Sequence, residues 1–209
     1  PAILTVVLAL GVQRMAAHRA IVTKLSSVET LGSASVICSD KTGTLTKSEM
    51  TIQRVVTASG ETTVTGVGYR PDGRVERDGA EIDDGGPLWA EDVRVLGGGS
   101  LASNAVLREA DGQWVIEGDP TEAAFLVAER KLGSRDARLE RFHRVGEVPF
   151  TSERKMMSSL EVDAERSGRI AVVTKGAPDV LLGRCTHLQV GDDVEPLDDA
   201  RRSRVLEDV

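Results

Sequence analysis

The densest set of groups that could do chemistry lies in one stretch, Ser39-Asp40-Lys41-Thr42-Gly43-Thr44-Leu45-Thr46. A carboxylate can act as a nucleophile and form an aspartyl-phosphate. The charge of Lys41, the backbone N–H groups turned by a flexible Gly43 and the hydroxyl of Thr44 are groups that hold a phosphate. The stretch therefore predicts phosphoryl transfer to Asp40. The alternative is an aspartate that only caps a turn after a strand.

The element that must position Asp40 is the apolar run directly before it. Residues 34–38 read Ala-Ser-Val-Ile-Cys, which is typical of a buried strand that ends in a polar loop. In an open α/β sheet, reactive groups collect at the carboxyl ends of the strands. We therefore expect a strand at residues 35–39 that delivers Asp40. A carboxylate together with backbone carbonyls is also a hard-oxygen ligand set suited to Mg²⁺.

Composition limits the class of protein. The chain has 209 residues, of which 40% are hydrophobic and 28% charged, enough for one large or two small folded domains. Its net charge of −7 disfavours a nucleic-acid-binding surface, so we expect no nucleic-acid partner. Aromatic residues make up only 3%, so the core must be mainly aliphatic. The two cysteines share no motif, which indicates a reducing compartment.

An apolar run opens the chain at residues 1–12. It is too short to span a bilayer, which takes about 20 apolar residues. Arg14, Arg19 and Lys24 follow it, as expected of the cytoplasmic side of a membrane helix. Two interpretations stay open, a buried helix and the cytoplasmic end of a truncated transmembrane helix, and we prefer the second.

The remaining chain reads as strands and helices in mixed order. Asp119 is a good N-cap and Pro120 a good first residue for a helix that runs to about residue 131. Residues 156–162 and 169–174 predict an antiparallel pair of strands. Residues 69–87 are rich in Gly, Asp and Pro and predict an exposed loop. The glycine run at 97–99 predicts a break in an otherwise helical pattern.

Three further positions have both a functional and an ordinary interpretation. Phe150 lies in a polar stretch with Arg154 and Lys155; it is either a stacking platform for a nucleotide base or a common core residue. Lys175 either lines a nucleotide pocket or is a solvated lysine at a strand end. Glu122 either contributes to a site or simply occupies the first turn of a helix, where acids are favoured.

Four stretches together resemble one family, the P-type cation-transporting ATPases, and within it the type II calcium and sodium/potassium class. They are Asp40-Lys41-Thr42-Gly43-Thr44-Leu45-Thr46, Gly118-Asp119-Pro120-Thr121-Glu122-Ala123, Pro149-Phe150 with Ser152-Glu153-Arg154-Lys155-Met156-Met157-Ser158, and Lys175-Gly176-Ala177-Pro178. They occur in the family's order and spacing over nearly the whole chain.

The resemblance implies a fold of class α/β plus α+β. Residues 1–18 would be the cytoplasmic end of a truncated transmembrane helix. Residues 19–48 would be the first part of a phosphorylation domain of the haloacid-dehalogenase-like, Rossmann-type fold. Residues 49–209 would form a nucleotide-binding domain with an antiparallel sheet flanked by helices.

The resemblance also implies roles for the residues of the acceptor loop. Asp40 would take the γ-phosphate of ATP, Lys41 would neutralise charge and Thr44 would bond the phosphoryl oxygens. Asp40 and the backbone carbonyl of Thr42 would bind Mg²⁺. Positioning and electrostatics of this kind account for most catalysis of phosphoryl transfer.

A second group of residues would hold the nucleotide by the same resemblance. Phe150 would stack on adenine, Glu122 would contact adenine or the pocket around it, and Lys155 and Lys175 would line the pocket. The parent protein would couple ATP hydrolysis to cation transport across a membrane, with this portion on the cytoplasmic side. The fragment alone is expected to bind nucleotide without turnover, and the transported cation would bind in parts of the parent outside the chain.

Two alternatives stay open. A soluble phosphohydrolase of the haloacid-dehalogenase type usually has a second aspartate two residues after the nucleophile, but Thr42 stands there. In those enzymes the second aspartate is the general acid and base that helps to release the phosphate. Threonine cannot take that role, which favours a long-lived aspartyl-phosphate. The other alternative is a non-catalytic nucleotide-binding module. One departure from the family is Ser26, where a proline is usual.

Overall fold

The computed structural model describes residues 2–207, apart from the side chains of Ala2 and Thr42. The chain divides into two compact units, Pro1–Lys47 and Ser48–Val209, and each is described by itself. Residue 1 of the predicted segment 1–18 and residues 208–209 of the predicted domain 49–209 lie outside the described residues. The three predicted domain limits stay predictions.

The first unit consists of helices and loops. Helix α1 spans Ala2–Ala17 and helix α2 spans Ser26–Leu31, and a short π-helical turn covers Lys41–Leu45. Helix α1 exposes apolar side chains, among them Ile3 and Val7. Over residues 2–207, no helix combines the length and the apolar character needed to cross a membrane.

The prediction of a strand at residues 35–39 is wrong for the described residues of the first unit. Residues 34–40 have no regular secondary structure, and their side chains are exposed. A strand needs a neighbour whose backbone groups pair with its own. The described part of residues 2–47 contains no second strand to supply those groups. The haloacid-dehalogenase-like start of the fold therefore stays a proposal.

The second unit combines antiparallel sheets with helices, which confirms that part of the expected fold class. Its strands are β1 (Arg54–Thr57), β2 (Gly60–Val64), β3 (Val75–Arg77), β4 (Ala80–Glu81), β5 (Val106–Ala110), β6 (Gln113–Glu117), β7 (Phe142–Thr151), β8 (Met156–Asp163), β9 (Ile170–Gly176), β10 (His187–Val190) and β11 (Asp193–Pro196). Strands β1–β4 form one sheet and β7–β9 another, each in chain order, while β5–β6 and β10–β11 are hairpins. The predicted pair at 156–162 and 169–174 is therefore confirmed as β8 and β9.

The helices of the second unit are α3 (Pro87–Leu101), α4 (Pro120–Leu132), α5 (Arg135–Arg141), α6 (Pro178–Leu182) and α7 (Asp199–Glu207). Helices α3 and α4 pack together. Leu96 of α3 and Ala128 of α4 are buried in one apolar cluster with Val55, Val64 and Val75 of the first sheet. The cluster is aliphatic, as the scarcity of aromatic residues predicted, and it fixes α4 against α3.

Two expectations are corrected here. Helix α3 runs without interruption through Gly97, Gly98 and Gly99, because packing against α4 outweighs the poor helix propensity of glycine. The segment 69–87 is not only loop but contains β3 and β4. Val75 is 2% exposed, so burial against β2 stabilises a strand that the local composition conceals.

Two adjacent carboxylates of α3 are buried in different surroundings. Glu91 accepts hydrogen bonds from the backbone N–H groups of Gly191 and Ser59 and from the Ser59 hydroxyl. Asp92 accepts one bond, 2.7 Å long, from the Thr62 hydroxyl. Burial raises the pKa of Asp92 because that single bond offsets only part of the desolvation. Burial acts on Glu91 as well, but its donors, led by Gly191, outweigh it and lower the pKa of Glu91.

Candidate functional site

The acceptor loop is a short hydrogen-bonded turn with an exposed carboxylate at its start. Asp40 is the N-cap of the turn, and its Oδ1 accepts a bond of 2.7 Å from the Lys41 backbone N–H. The Lys41 carbonyl accepts from the backbone N–H of Thr46 at 3.1 Å. Gly43 has a φ of 75°, a conformation that glycine adopts without strain. The loop therefore presents Asp40, Lys41 and Thr44 to solvent within five residues.

A cavity of about 900 Å³ lies in the second unit, large enough for a ligand of nucleotide size. All four residues predicted to hold a nucleotide line it, although they come from three separate stretches of the sequence. The lining residues are Asn104, Gly118, Asp119, Thr121, Glu122, Phe125, Phe150, Lys155, Met157, Lys175, Gly176 and Ala177.

The first turn of α4 forms one wall of the cavity. Asp119 caps the helix, its Oδ1 accepting from the backbone N–H groups of Thr121 at 2.7 Å and Glu122 at 3.3 Å, and Pro120 is the first helical residue, as predicted. Gly118 has a φ of 104°, and a Cβ there would lie 3.0 Å from the Ala105 Cα. The sequence Gly-Asp-Pro-Thr-Glu thus starts the helix in a fixed place and directs Glu122 into the cavity.

Glu122 joins two other elements inside the cavity. Its Oε1 lies 3.0 Å from the Lys175 ammonium of β9, and its Oε2 accepts a bond of 2.7 Å from the backbone N–H of Asn104. The Lys175 ammonium also lies 5.6 Å from the centre of the Phe125 ring, within the range of a cation–π contact. Only 17% of the Glu122 side chain and 22% of the Lys175 side chain are exposed, so solvent screens this pair incompletely.

Phe150 and Lys155 flank the β7–β8 turn. Phe150 is 59% exposed and lines the cavity, so its ring is open to a ligand there. Lys155 has a φ of 52°; its N–H donates to the Thr151 carbonyl at 2.8 Å, and its own carbonyl accepts from Ala177 at 2.9 Å. These bonds fix the turn against the end of β9.

Gly176 is needed at this junction for steric reasons. A Cβ on Gly176 would lie 2.4 Å from the Lys155 carbonyl oxygen, closer than real contacts allow. The Lys-Gly-Ala-Pro stretch therefore brings β9 directly against the β7–β8 turn. As a result Lys155 and Lys175 lie on the same cavity although they are distant in sequence.

The arrangement suits a ligand with a flat apolar part and negative charge. An exposed aromatic ring offers a stacking surface, and two lysines offer positive charge near it. Over the part of the chain that the structure describes, no cluster of three or more His, Cys, Asp or Glu side chains could hold a metal ion.

Comparison with known proteins identifies the family. Residues 93–209 match the family described as "P-type ATPase, cytoplasmic domain N". The chain belongs to the P-type ATPase family. The matched residues include α4, the three strands β7–β9 and therefore the whole lining of the cavity, and the family predicted from the motifs is confirmed.

Relatives of this P-type ATPase chain are named as calcium-transporting or cation-transporting ATPases. It is 44% identical over 191 residues to a calcium-transporting ATPase of Bacillus subtilis, covering 90% of the chain and 21% of the relative. It is 38% identical over 213 positions to a probable cation-transporting ATPase F of Mycobacterium bovis, covering 99% and 23%. It is 42% identical over 188 residues to a calcium-transporting ATPase type 2C member 1 of Bos taurus, covering 89% and 19%. The chain therefore spans about a fifth of the length of these relatives.

Two residues that shape the P-type ATPase cavity, Phe125 and Asn104, were not predicted from the sequence. Phe125 lies one turn after Glu122 on α4, so the i, i+3 spacing was a signal that both share a helix face. Asn104 holds Glu122 through its backbone N–H, and a backbone group leaves no signal in the sequence.

Proposed function

We propose that this chain provides the ATP-binding pocket and the phosphate-accepting aspartate of a cation-transporting P-type ATPase. The observation that supports this most directly is the meeting of Glu122, Phe150, Lys155 and Lys175 on one cavity. The names of the relatives, calcium-transporting and cation-transporting ATPase, agree with it. In the longer protein, ATP hydrolysis would drive a cation across a membrane, with these residues on the cytoplasmic side.

The cavity would bind the nucleotide by dividing it between two kinds of contact. Adenine stacks on the exposed Phe150 ring, and the Glu122 carboxylate lies at the edge of the base or beside it. The ammonium groups of Lys155 and Lys175 line the pocket and lower the cost of bringing in the negative charge of the phosphates.

Asp40 would receive the γ-phosphoryl group. A carboxylate oxygen of Asp40 forms a bond to the γ-phosphorus as the bond to the bridging oxygen breaks, and ADP leaves. Lys41 offsets the negative charge of the carboxylate and phosphate, and the Thr44 hydroxyl donates to a phosphoryl oxygen. Water later hydrolyses the aspartyl-phosphate, which restores the carboxylate and releases inorganic phosphate. The exposure of Asp40 and its place at the start of a fixed turn support this role.

The acceptor loop fits part of a Mg²⁺ site. Mg²⁺ takes one or two protein carboxylates and fills its other positions with water and phosphate oxygens. The Asp40 carboxylate and the Thr42 backbone carbonyl are suitable ligands, and we propose that they hold the ion. When bound, Mg²⁺ would neutralise charge on the transferring phosphoryl group. The phosphorylation domain of haloacid-dehalogenase-like fold that would surround this loop is part of the same proposal.

ATP binding by this chain tests the proposal. Titration calorimetry of the 209-residue chain should detect ATP, and Phe150→Ala should raise the Kd about tenfold or more, since stacking is worth about 1–3 kcal/mol per base. Val148→Ala is the matched control, because Val148 lies on the same strand, is 44% exposed and is not part of the cavity lining. An unchanged Kd in Phe150→Ala would contradict the assigned pocket.

A further inference from the structure

We infer that Arg144 is a positioning residue of the nucleotide pocket. It acts on Glu122 through residues 101–104, which contain the last residue of α3 and the three residues after it. The inference rests on the proposed function of the cavity. Arg144 does not line the cavity, and nothing in its sequence surroundings marks it. Its contacts nevertheless lead, in two steps, to the carboxylate that the cavity contains.

Arg144 owes its direction to an irregularity in β7. It pairs with Glu161 of β8, and the register shifts directly afterwards, between Arg144 and Gly146. A bulge of this kind re-aims a side chain and is frequent beside functional sites. The guanidinium thereby reaches both its own sheet and the end of α3.

The guanidinium binds the last turn of α3 and the residues after it. Its Nη2 donates to the Leu101 carbonyl and, at 3.0 Å, to the Ser103 carbonyl, and its Nη1 donates to the Asn104 Oδ1 at 2.7 Å. The last carbonyls of a helix have no partner within it, and an arginine can satisfy them. Arg144 therefore fixes both the backbone and the side chain of this segment.

Asn104 links the segment held by Arg144 to the cavity. Its backbone N–H donates to the Glu122 Oε2 at 2.7 Å, while the Glu122 Oε1 faces Lys175 at 3.0 Å. Without Arg144, the segment at 101–104 loses three bonds, and the N–H group that orients one Glu122 oxygen is no longer held. The Glu122 carboxylate would then rotate about its pair with Lys175 and lose its fixed position beside the base.

A purely structural role for Arg144 must be separated from this one, because Arg144 also neutralises a buried carboxylate. Its Nε lies 3.3 Å from Glu161, which is 1% exposed. The chain offers a matched control in Arg141, the last residue of α5, which pairs with Asp163 of β8, whose side chain is 6% exposed. The exposed fractions of the two arginine side chains are 31% and 32%. Arg141→Met should therefore lower stability, as Arg144→Met does, but leave the pocket unaffected.

The test is a double-mutant cycle on ATP binding by the full 209-residue chain. Arg144→Met should raise the ATP Kd about tenfold, which corresponds to the loss of one hydrogen bond to a charged group. In a Glu122→Ala background the same change should alter the Kd less than about twofold, because coupled residues are not additive. Arg141→Met should leave the Kd within about twofold of the wild type in both backgrounds. Thermal melting of every variant separates loss of fold from loss of binding.

Arg144→Lys covers the case in which Arg144→Met fails to fold. Lysine keeps a positive charge near Glu161 but lacks the planar fork that reaches two carbonyls and an amide at once. It should restore melting and still weaken ATP binding. Two results would overturn the role of Arg144 while leaving the proposed function intact. In one, the wild type binds ATP and neither Arg144 variant changes the Kd. In the other, the Arg144 variants raise the Kd as much in the Glu122→Ala background as in the wild type. If the wild type does not bind ATP, the proposed function fails first.

Discussion

Gly99→Ala probes whether the cavity depends on the glycine run in α3. A Cβ on Gly99 would lie 2.0 Å from Cδ1 and 2.4 Å from Cε1 of the Phe125 ring. Since carbon atoms pack best at about 3.5–4.0 Å, the ring would have to move by about 1.5–2 Å. Phe125 also lines the cavity, so we expect a ring displaced from α3 to narrow the space proposed for adenine.

Two opposed free energies decide the stability of Gly99→Ala, the cost of overpacking and the gain in helix propensity. Overpacking of this size costs about 1–3 kcal/mol, while replacing a helical glycine with alanine gains about 1 kcal/mol. The net loss should be about 1 kcal/mol, which lowers the Tm of a chain this long by about 2–4 °C. ATP affinity should fall further, by about tenfold, because the stacking space is obstructed.

Gly98→Ala is the matched control for this experiment. A Cβ there would meet the Val173 Cγ1 at 3.6 Å, an ordinary contact, so only the gain in helix propensity should remain. Its Tm should rise by about 2–4 °C, and its ATP Kd should not change. Differential scanning calorimetry and ATP titration of both variants give the result. Equal rises in Tm for Gly98→Ala and Gly99→Ala would refute the reasoning, because the Phe125 ring could not then occupy that space.

The remaining predictions concern buried charge. The pKa of Asp92 is raised in the folded state, so the contribution of Asp92 to the stability of the wild type falls as pH rises above about 4. The Tm of Asp92→Asn relative to wild type should therefore increase from about pH 4 to 7. The pKa of Glu91 is lowered, so its contribution exists above the unfolded pKa of about 4.3 and is lost at lower pH; Glu91→Gln should cost most at pH 7, and a deficit that grows with acid would contradict this. Arg138→Met leaves the 0%-exposed Glu129 carboxylate unpaired and should cost about 3–5 kcal/mol in urea unfolding. Replacing the exposed Arg54, paired with Glu61, should cost about 1 kcal/mol or less, and equal losses at the two sites would count against burial as the cause.

The motifs predicted the cavity residues because each motif is local. Asp119 and Pro120 favour the start of a helix through their own conformation, without distant contacts. The resemblance to the family then indicated which residues line one cavity. The glycine run was misread for the opposite reason. Its helical conformation depends on the Phe125 ring of another helix, a contact that local propensity cannot reveal.

Strand positions were predictable only where pairing was local or the burial pattern strong. Strands β8 and β9 are joined by a short turn and were found. Strand β3 was missed because its only buried residue, Val75, gains its burial from pairing with β2 across a glycine-rich loop. Arg144 could not be predicted either, since its direction depends on a register shift between two strands that their sequences do not specify.

The two lysines of the cavity have different electrostatic surroundings, although the resemblance gave them the same role. Lys175 is largely buried and already paired with Glu122, so together they add little net charge to the wall. Lys155 is exposed, and within residues 2–207 its ammonium forms no ion pair. A triphosphate entering the cavity would gain more from an unpaired ammonium than from one that a carboxylate neutralises at 3.0 Å. We therefore propose that Lys175 mainly holds Glu122 and the Phe125 ring in place and that Lys155 mainly attracts the phosphates.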